Sequence, residues 1–195
     1  GEYLFFAIQT VVTAFALHLI GFDPTFREGD FDRRPRIAGV AAGIAMVVVG
    51  LWLTTVDPSY LYLGGLIAWV GPVFALQWSV GGGYLVRTPR MWLAATLIPA
   101  AYFWVADRIA IAMGTWQLST EFTTGIAVLG LPIEEMLFFA SAGVMTVNGL
   151  VLFEWVLDWN DGRGEVAEPT PSGDAERDVP GPEPPADPDP DVVDD

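Results

Sequence analysis

The chain has no cysteine and no lysine, and its one histidine is His18. Without cysteine there is no disulfide, no thiolate nucleophile and no sulfur-ligated zinc. With His18 alone, neither a multi-histidine metal site nor a Ser-His-Asp arrangement is plausible within the chain. Without lysine there is no partner for a retinal Schiff base. Charge is scarce as well: 17% of residues are charged and 52% are hydrophobic, with a mean hydropathy of +0.43. That is too apolar for an ordinary soluble domain. A net charge of −15 would repel phosphates, which excludes a nucleic-acid partner. Phosphate-cradling loops are missing too. Gly81-Gly82-Gly83 lacks the final glycine of a dinucleotide fingerprint and any βαβ context, and there is no P-loop.

What charge there is lies unevenly. Residues 158–195 hold 13 acidic residues and two arginines, so most of the negative charge sits in that tail. The stretch is Pro-rich and acidic, with too little apolar surface to offset ordering entropy, and is expected to be a disordered, solvated tail. All nine basic residues are arginine. A lysine-free, acid-rich chain suits a high-salt cytoplasm, the composition of a halophile.

The remainder reads as membrane spans. A bilayer core needs about 20 apolar residues in a helix. Tyr3–Phe22, Ile37–Val56 and Tyr60–Val80 carry no charge, Met91–Ala106 extends as far as Met113 if Asp107 and Arg108 are tolerated, and Met136–Leu157 has only Glu154 near its end. Asp23-Pro24, Asp57-Pro58, Gly81-Gly82-Gly83 and Thr88-Pro89 are turn or loop signals between them. These runs have no polar face, so they are not amphipathic surface helices. The fold class expected is all-α, a polytopic bundle with about five transmembrane helices. Arg27, Arg33, Arg34 and Arg36 follow the first span, and Arg87 and Arg90 follow the third. By the positive-inside rule those loops and the C-terminal tail are cytoplasmic.

An internal repeat is visible. Gly1-Glu-Tyr-Leu-Phe-Phe-Ala7 aligns with Glu134-Glu-Met-Leu-Phe-Phe-Ala140, pairing Glu2 with Glu135 and Phe5-Phe6 with Phe138-Phe139. Both copies start a span on the outer side and run the same way, as in a parallel repeat. The first copy begins inside the motif, so about two further spans are expected upstream, from a protein of about seven.

Carboxylates at membrane depth are costly and usually face an interior cavity. Glu134 and Glu135 follow Pro132 and fall in the first turn of an apolar helix, where the helix dipole favours negative charge. Taken alone they could simply mark a helix start at the interface. The recurrence of Glu2 in the same context favours a functional pair. Adjacent helical residues point about 100° apart, so only one glutamate can face a shared cavity fully. Glu135, the match to Glu2, is the better choice. Asp107 ends the fourth span on the same side, where it either joins the cluster or pairs with Arg108. Phe5, Phe6, Phe138, Phe139 and Trp116 could line an apolar pocket and steady a cation. Each alone is more simply an aromatic-belt or packing residue. His18 lies at the far end of its span and reads as structural or interfacial.

The string Thr123-Thr-Gly-Ile-Ala-Val-Leu-Gly-Leu-Pro-Ile-Glu-Glu-Met-Leu-Phe-Phe139 resembles the signature of the membrane-integral lycopene cyclase domain, found as bacterial heterodimers, archaeal fused repeats and half of fungal bifunctional enzymes. Asp107-Arg-Ile-Ala through Trp116 resembles the Asp…Trp stretch upstream of that motif, Tyr60-Leu-Tyr-Leu the start of a repeat unit, and Glu2 to Thr10 the end of the first repeat. The resemblance implies the boundaries. Residues 1–22 would be the last helix of a first repeat and 23–59 a linker loop and linker helix. Residues 60–157 would be the second repeat and 158–195 the tail. It also implies a multi-pass cell-membrane enzyme that cyclises lycopene to β-ionone rings without a cofactor. Glu135 would lead as acid or base, with Glu134 and Glu2 as partners, Asp107 as auxiliary group, and Pro132 and the aromatics around the substrate. The implied partners are lycopene or a related carotenoid, membrane lipids and the first repeat. Other ring types, longer carotenoids, or a small transporter or scaffold using the glutamates stand as alternatives.

Overall fold

The computed structural model describes residues 2–167, with side chains for 4–162. The side chain of Glu2 and the acidic tail from residue 168 lie outside the described residues.

Local chemistry sets the helix ends. Helix α1 (Glu2–Ile20) stops at Gly21, which takes φ +75° and donates its N–H to the Leu17 carbonyl. A 3-10 turn over Glu28–Phe31 follows. Asp32 then caps α2 (Arg33–Val56) by accepting from the Arg34 amide. Asp57 and Pro58 break the chain, with the Asp57 carboxyl accepting from the Ser59 amide. Helix α3 (Leu61–Arg87) is followed by Thr88 alone before Pro89 opens α4 (Pro89–Ala112). Strands β1 (Ala127–Val128) and β2 (Leu131–Pro132) pair antiparallel, joined by Leu129 and Gly130, both with positive φ. That is the tight primed turn a two-residue hairpin needs. Helix α5 (Ile133–Ala167) follows directly.

Among the described residues the architecture is all-α, with five α-helices, two short 3-10 turns and one minimal hairpin. Arg33–Val56, Pro58–Arg87, Pro89–Ala112 and Ile133–Gly162 are each long and apolar enough to cross a membrane. The shortest are 24 residues, which at 1.5 Å per residue is about 36 Å. The apolar part of α1, Leu4–Ile20, is shorter.

Helices α2 and α3 form an antiparallel hairpin held by small residues. A Cβ on Gly43 would lie 2.6 Å from the Gly71 carbonyl oxygen, and one on Gly64 would lie 2.7 Å from that of Gly50. The two pairs are seven residues apart on each helix, so one stripe of glycines lets the backbones touch along the seam. Such close approach is how helices associate where lipid competes for apolar contact. The fully buried core lies instead where α1, α3, α4 and α5 meet, around Leu17, Tyr84, Leu85, Ala95, Val147, Val151 and Trp155.

Gly81-Gly82-Gly83, read from the sequence as a turn, is inside α3. The helix kinks at Gly81 (φ −132°, ψ 30°) and continues to Arg87. The reason is packing. A Cβ on Gly82 would meet the backbone of Pro35 and Arg36 at 2.9–3.0 Å, and one on Gly83 would strike the backbone of Asp30. The triplet admits the 3-10 turn against α3.

That contact seats a polar knot. Arg87 grips Asp30 with two hydrogen bonds, Nε to Oδ1 and Nη2 to Oδ2, both 2.8 Å. Trp155 Nε1 and the Arg27 amide also donate to Oδ2, each at 3.0 Å. Asp30 is only 2% exposed. Burial works against its charge, but the bonds from Arg87, Trp155 and Arg27 prevail and hold its carboxyl below the usual carboxylate range. The knot ties the loop after α1 to α3 and α5.

Candidate active site

At the opposite end of the bundle three helix ends converge. The last part of α4 supplies Asp107, the first turn of α5 supplies Glu134 and Glu135, and the first turn of α3 supplies Tyr62. The connection between α4 and α5 closes over them. It is fastened to α3 by the Tyr62 amide, which donates to the Phe122 carbonyl.

The two glutamates part as their helical spacing requires. Glu134 is fully buried. Its Oε1 accepts from the Thr124 amide and from the Thr124 hydroxyl, both at 2.7 Å, and its Oε2 has no hydrogen-bond partner among the described residues. Glu135 instead lines an open cleft of about 410 Å³ with Leu61, Tyr62, Leu118, Ser119, Phe122 and Thr123. The Tyr62 hydroxyl donates to its Oε1 at 2.9 Å. Both glutamates lie in the first turn of α5, whose unpaired N–H groups and dipole favour negative charge there.

Asp107 is 3% exposed. It does not pair with Arg108, which turns away to donate to the Leu129 carbonyl at 3.0 Å. Trp116 is its polar neighbour, but neither Asp107 oxygen has a hydrogen bond of good geometry. Asp107 lies within electrostatic reach of both Tyr62 and Glu135, and so does Glu134. A hydroxyl and three carboxyls from three helices thus share one poorly solvated end of the bundle.

The aromatic residues lie elsewhere than expected. Phe5, Phe138 and Phe139 do not line the cleft. They pack with Phe103 in a ring cluster between α1, α4 and α5, where Phe103 and Phe139 stack at 5.8 Å and Phe5 meets Phe139 edge-on at 5.3 Å. Phe103 is one turn before Asp107, and Phe139 one turn after Glu135, so the cluster forms the apolar floor beneath the carboxyls. Phe6 touches Phe138 from a half-exposed position, 41% open. Trp116 is 49% exposed and stands by Asp107 rather than in the cleft. Pro132 is held in β2, paired with Ala127, and shapes the entry to α5 without facing the cleft. His18 is exposed at the far end of α1.

Sequence reading missed Tyr62, Thr124 and the cleft wall from Leu118 to Thr123. Tyr62 had one signal, a hydroxyl just after a helix-starting Asp-Pro break. Gln9 was also missed: it is 3% exposed, and its Nε2 donates to the Phe139 carbonyl at 3.2 Å, joining α1 to α5. Trp104 does the same for α4, donating to the Met136 carbonyl at 3.1 Å.

No family model matches the chain, and no solved structure matches it. Among curated proteins it is 44% identical over 162 residues to a lycopene beta-cyclase of Halobacterium salinarum, covering 80% of this chain and 65% of that protein. It is 32% identical over 165 residues to a bifunctional lycopene cyclase/phytoene synthase of Pyrenophora tritici-repentis, covering 78% of this chain and 28% of that one. A protein of the same description from Aspergillus oryzae is 28% identical over 161 residues, covering 80% and 27%. The chain thus spans about two thirds of the archaeal relative's length and just over a quarter of the fungal ones. With four helices among the described residues long and apolar enough to cross a membrane, and buried carboxyls at one end of the bundle, the chain is similar to proteins of the lycopene cyclase family.

Proposed function

We propose that the protein is a lycopene beta-cyclase, an isomerase that closes the ψ end groups of lycopene into β-ionone rings. The observation that carries this reading is the cleft in which Glu135, bonded to Tyr62, opens toward an apolar surface with Asp107 and Glu134 behind it. A carboxylic acid protonates a terminal double bond. The neighbouring double bond attacks the resulting carbocation and closes the ring. A carboxylate then takes a ring proton and leaves the new alkene. One proton is consumed and one returned, so no electron acceptor is required. An alkene is a weak base, and a protonated carboxyl in a dry site is a suitable donor. The Phe5, Phe103, Phe138 and Phe139 cluster packs beneath the carboxyls and keeps that end of the bundle apolar.

Glu135 is the group best placed to meet substrate, since it alone of the three carboxyls lines the cleft. Glu134 and Asp107 act behind it. The parallel course of α1 and α5, with Phe5 against Phe138 and Phe139 at one end and Leu17 in one cluster with Val147 and Val151 further along, supports reading Glu2 as the repeat-related partner of Glu135. The same repeat supports the division at residues 22, 59 and 157. The membrane is the cell membrane, with the Arg-rich end and the tail in the cytoplasm and the carboxyl end outside. The lysine-free composition and a relative from Halobacterium salinarum agree on a salt-rich habitat.

The test is the pigment content of lycopene-accumulating cells expressing the natural full-length protein, beside Glu135→Gln. Wild type is expected to yield β-ringed carotenoids, and the variant to leave lycopene. Untouched lycopene with folded wild-type protein in the membrane would overturn the reading in favour of another carotenoid or a transporter.

A further inference from the structure

We propose that Tyr62 is a positioning residue that decides which oxygen of Glu135 carries the proton given to the substrate. The inference rests on the cyclase reading above and deepens it. A glutamate carboxyl turns readily about its last bond, so its two oxygens exchange unless something holds one of them. An acid that must deliver its proton to one carbon of a bound alkene loses rate whenever the wrong oxygen bears it.

The Tyr62 hydroxyl removes that freedom. It donates to Glu135 Oε1 at 2.9 Å, and both side chains line the same cleft. An oxygen that accepts a hydrogen bond is the carbonyl oxygen of the acid, which leaves the acidic O–H on Oε2. Oε2 takes no hydrogen bond among the described residues and, unlike Glu134 Oε2, is not shut away from solvent. Tyr62 is itself held at its backbone. It stands in the first turn of α3, where its N–H has no partner within the helix, and that N–H donates to the Phe122 carbonyl at 3.2 Å. Phe122 belongs to the opposite wall of the cleft, which is braced by the Thr123 hydroxyl on the Ser119 carbonyl at 2.8 Å. One residue therefore sets the acid and the wall facing it in a fixed relation.

The step balances. The Oε2–H bond breaks and its electron pair stays on Oε2, while the alkene π pair forms the new C–H bond and leaves the neighbouring carbon as the cation. Glu135 becomes a carboxylate whose Oε1 still accepts from Tyr62. A hydrogen bond to a carboxylate is stronger than one to a neutral acid, so this bond gains strength as the proton leaves and favours the transition state over the bound substrate.

Tyr62→Phe, made in the natural full-length protein, removes the hydroxyl and keeps the ring and the backbone bond to Phe122. With lycopene in lipid vesicles, kcat should fall about tenfold, the worth of one such bond. KM should stay within about twofold, because the cleft keeps its shape. The infrared C=O stretch of the Glu135 acid, identified by its loss in Glu135→Gln, should move to higher frequency in Tyr62→Phe. A 3-fluorotyrosine at position 62 donates a stronger bond with little change of shape, so there the band should move to lower frequency. That variant decides the matter if the phenylalanine form does not fold. A band unmoved in both variants, or a raised KM with kcat unchanged, would overturn the positioning role. Wild type that closes no rings while the band still moves would instead overturn the cyclase reading itself.

Discussion

Glu134 and Glu135 are neighbours with unlike surroundings, and the difference is one of helical phase. Glu135 faces the cleft and Tyr62; Glu134 faces Thr124 and the closed side. Glu135→Gln keeps size and hydrogen bonding but removes the transferable proton, so ring formation should fall by at least about 10²-fold in a pigment assay, with the protein still folded. Thr124→Val leaves Glu134 with the backbone donor alone. A buried carboxyl short of a partner costs about 1–3 kcal/mol, which should appear as a lower melting temperature in detergent. At the other end, Asp30→Asn exchanges the buried charge under Arg87 for a neutral amide and should cost roughly 3 kcal/mol. The sign of its pH dependence follows from the cause. The folded value of Asp30 lies below its unfolded value, so the knot contributes fully at neutral pH and is lost as pH falls through the folded value, below about 4. The melting-temperature gap between wild type and Asp30→Asn should therefore narrow in acid.

At the scale of elements, the apolar runs made the helices legible, and turn chemistry made most of their ends legible. Asp57-Pro58 and Thr88-Pro89 stand at helix ends, whereas the first helix stops at Gly21, just before the Asp23-Pro24 signal. Gly81-Gly82-Gly83 did not, because glycine serves both turns and close backbone approach, and only the neighbour decides which. Here the neighbours are Pro35, Arg36 and Asp30. The α2–α3 seam makes the same point as a prediction. Gly43→Val places a branched side chain where a single Cβ would already lie 2.6 Å from the Gly71 carbonyl oxygen, so the helices must separate. Overpacking of this kind costs about 1–3 kcal/mol. The loss should show in thermal unfolding, while the same change at Gly65, which meets nothing within 4 Å, should show far less.

For the molecule as a whole, the helices sort two chemistries to opposite ends. Arg27, Arg33, Arg34, Arg36, Arg87 and Arg90 cluster at one, and Asp107, Glu134, Glu135 and Tyr62 gather at the other. A chain without cysteine allows a direct test of orientation. Single cysteines in place of Glu28 and Glu121, both exposed, should react with impermeant reagents from opposite faces of the membrane, with position 121 labelled from outside. Labelling of position 28 from outside would invert the topology and put the carboxyl end in the cytoplasm.

Composition and hydropathy determined that this is a helical membrane protein, because burying apolar runs in lipid depends on the runs alone. The motif around Glu134 and Glu135 determined where chemistry was to be sought, because carboxyls at helix starts within apolar surroundings are rare and costly. Only the tertiary structure decided which glutamate opens to the cleft, that the phenylalanines pack in a cluster beneath the carboxyls, and that Tyr62 reaches Glu135 across 73 residues of sequence. Those relations are set by helix phase and packing between α3, α4 and α5, and no local pattern along one helix encodes the position of its neighbour.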